Sequence, residues 1–146
     1  MARKFAQGKF ELKNPAKYIG TGVPTYRSGW EFTFMKFCDE HPSVIQWASE
    51  AVKIPYRNPL TGNQTVYVPD FFIVYGDKAG NQKVELIEVK PANQTLKEKL
   101  GRNKNNQAQW VVNQAKWESA RAWCKQKKIT FRIITENEIF HQGRKR

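Results

Sequence analysis

Two strand-like runs each carry charged residues that a folded chain cannot bury casually. The first is Thr65-Val66-Tyr67-Val68-Pro69-Asp70-Phe71-Phe72-Ile73-Val74-Tyr75, and the second is Lys83-Val84-Glu85-Leu86-Ile87-Glu88-Val89-Lys90. Between them Gly76-Asp77-Lys78-Ala79-Gly80-Asn81 is rich in turn formers, so the pair reads as a hairpin. Side chains alternate faces along a strand, which puts Glu88 and Lys90 on one face together with the apolar Val84 and Leu86. A carboxylate and an ammonium on a buried-looking face are costly unless something pairs with them. A divalent metal or the two groups themselves would satisfy that need.

A chain of 146 residues forms one domain with a proper core. Nine Phe, 5 Trp and 5 Tyr argue against wholesale disorder. No apolar run approaches the roughly 18 residues of a membrane span, and Met1-Ala2-Arg3-Lys4 leads into no secretory apolar stretch, so neither membrane nor export is expected. Cys38 and Cys124 lack metal-ligand spacing and sit among apolar neighbours; they read as buried thiols, with a disulfide between them left open. With 25 Lys and Arg against 13 Asp and Glu, the net charge of +12 points to a polyanionic partner, nucleic acid first.

Residues 1–26 interleave Arg3, Lys4, Lys9, Lys13 and Lys17 with Gly and Pro and read as a basic N-terminal arm, either docked or disordered. The remaining 27–146 form a single domain with a basic tail. Ser28-Gly29-Trp30-Glu31 has capping-box form and opens a helix that Pro42 ends. Residues 44–48 and 51–56 read as extended, and 57–63 as a turn. The 66–75 run is apolar on both faces, as a central strand should be. A polar basic connector over 97–106 precedes a long helix to about Lys127, with Ala108, Val111, Val112, Ala115 and Trp123 on its inner face. Residues 129–134 form a last strand, and Thr135-Glu136-Asn137-Glu138 opens a short helix. Helix, strands, long helix, strand is a mixed α/β (α+β) layer order.

Phosphodiester hydrolysis needs charge neutralised at phosphate, an activated water and a stabilised leaving oxygen. Carboxylates holding Mg²⁺ (or Mn²⁺) and a nearby lysine supply these. Asp70 and Glu88 would ligate the metal, the Val89 carbonyl would add a third oxygen, and Lys90 would orient or deprotonate the water. The pattern Pro69-Asp70 … Glu88-Val89-Lys90 resembles the PD-(D/E)xK nuclease superfamily. That resemblance implies a restriction-endonuclease-like fold with a central mixed sheet flanked by helices, and an acid from an early helix, here Glu31. Glu31 is equally suited to cap its own helix by bonding back to the Ser28 amide.

Further blocks extend the likeness over nearly the whole chain. They include Gly8-Lys9-Phe10, Lys13-Asn14-Pro15-Ala16-Lys17-Tyr18, Ser49-Glu50-Ala51-Val52-Lys53-Ile54-Pro55-Tyr56 and Asn113-Gln114-Ala115-Lys116-Trp117-Glu118. In this order they resemble the head completion family of T4-like tailed phages, whose fold is similar to the TnsA transposase endonuclease. The resemblance implies a DNA endonuclease that processes ends after packaging and readies the head for the tail. Its expected partners are double-stranded DNA and capsid, portal or neck proteins, and its expected place is the virion head or neck after assembly in host cytoplasm.

Other residues carry smaller roles. Glu50 is either a supporting acid or a surface strand-end carboxylate. Of Gln114 and Lys116 only one can face inward, and Gln114 is taken as the supporting residue. Lys97, Lys99, Arg102 and Lys104 would reach DNA phosphates from the connector, or merely be solvated. His41 and His141 have no ligand-like spacing. The rival to a nuclease is a structural DNA-binding component of the head–neck without turnover. A junction-selective or restriction-type enzyme comes third, because nothing recognisable reads base edges.

Overall fold

The structure, a computed structural model, describes residues 7–92, 103–135 and Asn137. In chain order the elements are β1 (Gly8–Lys9), a 3₁₀ turn (Pro15–Lys17), β2 (Thr25–Tyr26), α1 (Gly29–Glu40), β3 (Val44–Ser49), β4 (Ile54–Arg57), β5 (Gln64–Tyr67), β6 (Phe71–Gly76), β7 (Gln82–Val89), α2 (Lys104–Lys127) and β8 (Thr130–Ile134). The main sheet has the order β3-β6-β7-β8. Its first three strands are antiparallel, and β8 joins parallel to β7 after the α2 crossover. The sheet is therefore mixed, and helices cover it.

Alternation along β7 divides the core. Ile87 joins Phe34, Met35 and Cys38 of α1 together with Trp47, Phe71 and Ile73. Leu86 faces the other way and joins Val112, Trp117, Ala120 and Cys124 of α2 with Ile54, Tyr56 and Tyr67. Both cysteines are buried free thiols. Among the described residues no helix is long and apolar enough to cross a membrane.

The 65–75 run is not one strand. β5 ends at Tyr67 and pairs with β4 in a separate two-stranded sheet, while β6 starts at Phe71 and occupies the centre of the main sheet. Pro69 explains the break: it has no N–H for a ladder and restrains Val68 before it. The apolar character of both faces holds for β6, where Phe71, Ile73 and Val74 are all buried.

Ser28 caps α1 as expected, its Oγ accepting the Glu31 amide at 3.1 Å. Helix α2 starts at Lys104, inside the connector, because Asn103 Oδ1 accepts the Asn106 amide. Its buried stripe is Val112, Asn113, Trp117, Ala120 and Cys124. Val111, expected inside, is 40% exposed, since it lies about 100° round the helix from Val112. The short helix expected after Thr135 lies outside the described residues apart from Asn137.

Within the described part of the arm, Phe10 and Tyr26 are core residues. Buried Asp39 accepts the amides of Lys13 (2.9 Å) and Asn14 (3.0 Å). The Lys17 ammonium reaches the carbonyls of Asp39 and His41 at the C-terminal end of α1, a favourable place for a cation.

Candidate active site

The break before β6 and the end of β7 come together at one end of the central strand pair. Asp70 Oδ2 accepts the Val89 amide at 2.7 Å, which joins the two segments. Next to Val89, Glu88 is buried at 6% exposure, with Oε1 accepting the Tyr67 hydroxyl at 2.6 Å. Its Oε2 lies 3.5 Å from the Lys90 ammonium. The charged pair expected on one strand face thus pairs with itself, and a tyrosine adds a second partner.

Asp70 and Glu88 crowd each other here, and Glu31 lies near enough for its charge to act on Asp70. Burial, then the Glu88 charge and that of Glu31, pushes Asp70 up to about 8, against the Val89 amide and Lys90. Burial also raises Glu88, opposed by the Tyr67 hydroxyl, Lys90 and Lys116. Glu31 is raised chiefly by burial and also by Glu50 and Glu88, against its bond to the Arg27 amide. Desolvation with like-charge crowding is the arrangement that marks functional carboxyl clusters.

Glu31 does cap, though not as the capping box predicts. Its Oε1 accepts the amide of Arg27 at 2.8 Å, one residue upstream of Ser28. Glu50 stands at the rim, 38% exposed at its side chain and ion-paired with the Arg27 guanidinium. Its backbone is left-handed (φ 53°), with its amide on the Asp70 carbonyl at 2.9 Å. Glu50 therefore braces the Asp70 segment through its main chain.

Of the helix pair, Lys116 rather than Gln114 approaches the acids. The Lys116 ammonium sits 5.7 Å from the centre of the Tyr67 ring, and its charge acts on Glu88 and Asp70. Burial, then Lys90, lowers its own pKa. Lys116 lies four residues from buried Val112 and borders Trp117, whereas Gln114 shares its face with exposed Glu118 and Arg121. Lys104 is exposed in the first turn of α2; Lys97, Lys99 and Arg102 lie outside the described residues.

Residues 41–136 match the family described as TnsA-like endonuclease N terminal. The chain belongs to that family. Asp70, Glu88, Val89 and Lys90 lie inside the matched segment of this TnsA-like chain, and Glu31 lies ahead of it. It is also 36% identical over 141 residues to the head completion nuclease of Enterobacteria phage T4, covering 90% of this chain and 92% of the relative. Sequence reasoning on this TnsA-like chain missed Tyr67, Lys116 and Arg27. For Lys116 the only signal was its four-residue spacing from Val112, which the three-residue spacing of Gln114 from Val111 matched. For Tyr67 and Arg27 none existed, because their contacts join distant segments.

Proposed function

We propose that this chain is a Mg²⁺-dependent DNA endonuclease that processes duplex ends during completion of a phage head. The carrying observation is Asp70 bonded to the Val89 amide next to buried Glu88, whose second oxygen lies 3.5 Å from the Lys90 ammonium, with the Glu31 charge acting on Asp70. Membership of the TnsA-like family and the likeness to a protein named head completion nuclease support the same reading. Duplex DNA is the substrate, consistent with a net charge of +12. Capsid, portal or neck proteins are the assembly partners, and the head or neck of the virion is the setting.

The donor set fits a hard divalent cation, because every candidate ligand is an oxygen. Asp70 and Glu88 would hold it, with the Val89 carbonyl as a third donor. A strand residue sends its N–H and C=O to the same edge, and the Val89 N–H points to Asp70. Glu31 would contribute through the oxygen not used by Arg27. Among the described residues no three acidic, His or Cys side chains cage a cation on their own. Mg²⁺ ordinarily keeps several waters and binds through one or two carboxylates plus substrate phosphate, and Asp70 and Glu88 would be those carboxylates. When bound, such an ion neutralises phosphate charge and makes a water more acidic.

The chain's own groups then have separate tasks. Lys90, held as an ammonium by Glu88, orients the attacking water and steadies charge on the phosphate oxygens, while the water's proton passes to solvent. Water adds to phosphorus as the bond to the leaving sugar oxygen breaks, and Lys116 brings a second cation to the acid side of the site. A nicking assay on duplex DNA in Mg²⁺ and in EDTA tests the reading. Cleavage is expected only with metal and is expected to vanish in Asp70→Ala and Lys90→Ala. Metal-dependent nicking that survives both substitutions would overturn it.

A further inference from the structure

Glu88 is held by residues from outside the strand that carries it. Tyr67, 4% exposed, ends β5 in the small β4–β5 sheet and donates its hydroxyl to Glu88 Oε1 at 2.6 Å. Lys116, from α2, lies with its ammonium 5.7 Å from the centre of the Tyr67 ring. Tyr67 also packs in the cluster formed by Ile54, Leu86, Val112 and Trp117, so its ring has no room to drift. The other carboxylate oxygen of Glu88, Oε2, is the one near Lys90.

We infer that Tyr67 is a positioning residue for Glu88. A carboxylate has two oxygens and can rotate about its last bond. Pinning Oε1 to a buried hydroxyl stops that rotation and leaves Oε2 turned toward Lys90. The small sheet and α2 thereby set the orientation of an acid that the main sheet carries. This inference rests on the metal-site reading above. Outer partners that orient a metal-binding carboxylate typically change metal affinity by about 10–100-fold when removed.

The test is calorimetric titration of Mn²⁺ into the metal-stripped full chain, with Tm in EDTA recorded for every variant. Tyr67→Phe is expected to fold, since it keeps the ring, and to bind Mn²⁺ about 10–100-fold more weakly. A merely structural Tyr67 would lower Tm and leave Mn²⁺ affinity unchanged. Wild-type affinity retained in Tyr67→Phe overturns the inference while the nuclease reading stands. If wild-type protein binds no Mn²⁺, the metal-site reading falls and the inference falls with it.

Discussion

The carboxylate of Asp70 accepts the main-chain amide of Val89 at 2.7 Å. This bond links the start of β6 to the end of β7 just beyond their last paired residues, Phe71 and Ile87. Charge and anchoring are therefore combined in one side chain, and substitutions can separate them. Asparagine retains an acceptor for the Val89 amide; alanine does not. Asp70→Asn is expected to fold with a Tm at or above that of wild type in EDTA, because crowding with Glu88 and Glu31 is relieved. Its single-turnover nicking in Mg²⁺ is expected to fall about a thousandfold, the equivalent of about 4 kcal/mol of lost charge stabilisation. Asp70→Ala is expected to lose both stability and cleavage.

The same crowding makes stability fall with pH in the absence of metal. Asp70 is raised from 3.8 to about 8, and Glu88 is raised as well. Between those values the folded chain keeps a proton that the unfolded chain has released, so each rise in pH favours unfolding. The stability contributed by the protonated site is full below about pH 4 and lost as pH passes about 8. Tm measured in EDTA from pH 5 to 8.5 is expected to decline more steeply for wild type than for Asp70→Asn. Millimolar Mg²⁺ is expected to reduce the decline, since a cation that binds the ionised acids stabilises the folded state. Parallel curves for the two proteins in EDTA would refute this.

Glu31 has one oxygen on the Arg27 amide, so glutamine and alanine distinguish its two roles. Glutamine keeps the cap and removes the charge. Glu31→Gln is expected to hold Tm close to wild type while cutting nicking by at least about 10-fold. Ser28→Ala, which removes the Oγ acceptor for the Glu31 amide, is expected to cost about 1 kcal/mol and leave turnover largely intact. Full activity in Glu31→Gln would confine Glu31 to capping.

Lys90 is a test of chemistry rather than of folding. Its side chain is 25% exposed and its partner Glu88 keeps the Tyr67 bond without it. Lys90→Met is expected to slow cleavage by about 10²–10⁴-fold. Duplex binding in Ca²⁺, measured by fluorescence anisotropy, is expected to change by less than about 10-fold. A proportional loss of binding and cleavage would make Lys90 a DNA anchor instead.

Asp39 anchors the N-terminal segment, accepting the Lys13 and Asn14 amides from a fully buried position. Asp39→Ala strands both donors, and each such loss costs about 1–3 kcal/mol. The expected result is a lower Tm and faster proteolysis before Tyr26, with nicking at low temperature retained. Unaltered protease resistance would refute the anchoring role.

What the sequence determined by itself was local. The alternation in Lys83 to Lys90 put Glu88 and Lys90 on one face with Leu86, and Ser28 with its neighbours announced the start of α1. The resemblance of Pro69-Asp70 … Glu88-Val89-Lys90 to a nuclease motif gave the expected fold, and the mixed sheet between helices agrees with it. Periodicity could not show that Pro69 divides one apolar run between two sheets, because β-propensity is silent about which partner a strand chooses. Nor could it prefer Lys116 over Gln114: both sit at plausible angles, and only packing of Trp117 against Tyr67 and Leu86 decides which is drawn in. The tertiary structure alone brought Tyr67 to Glu88 across 21 residues, Arg27 to Glu50 across 23, and Asp39 to the Lys13 amide across 26. These bonds close long loops, and such closures depend on how the layers stack rather than on any residue's neighbours in sequence.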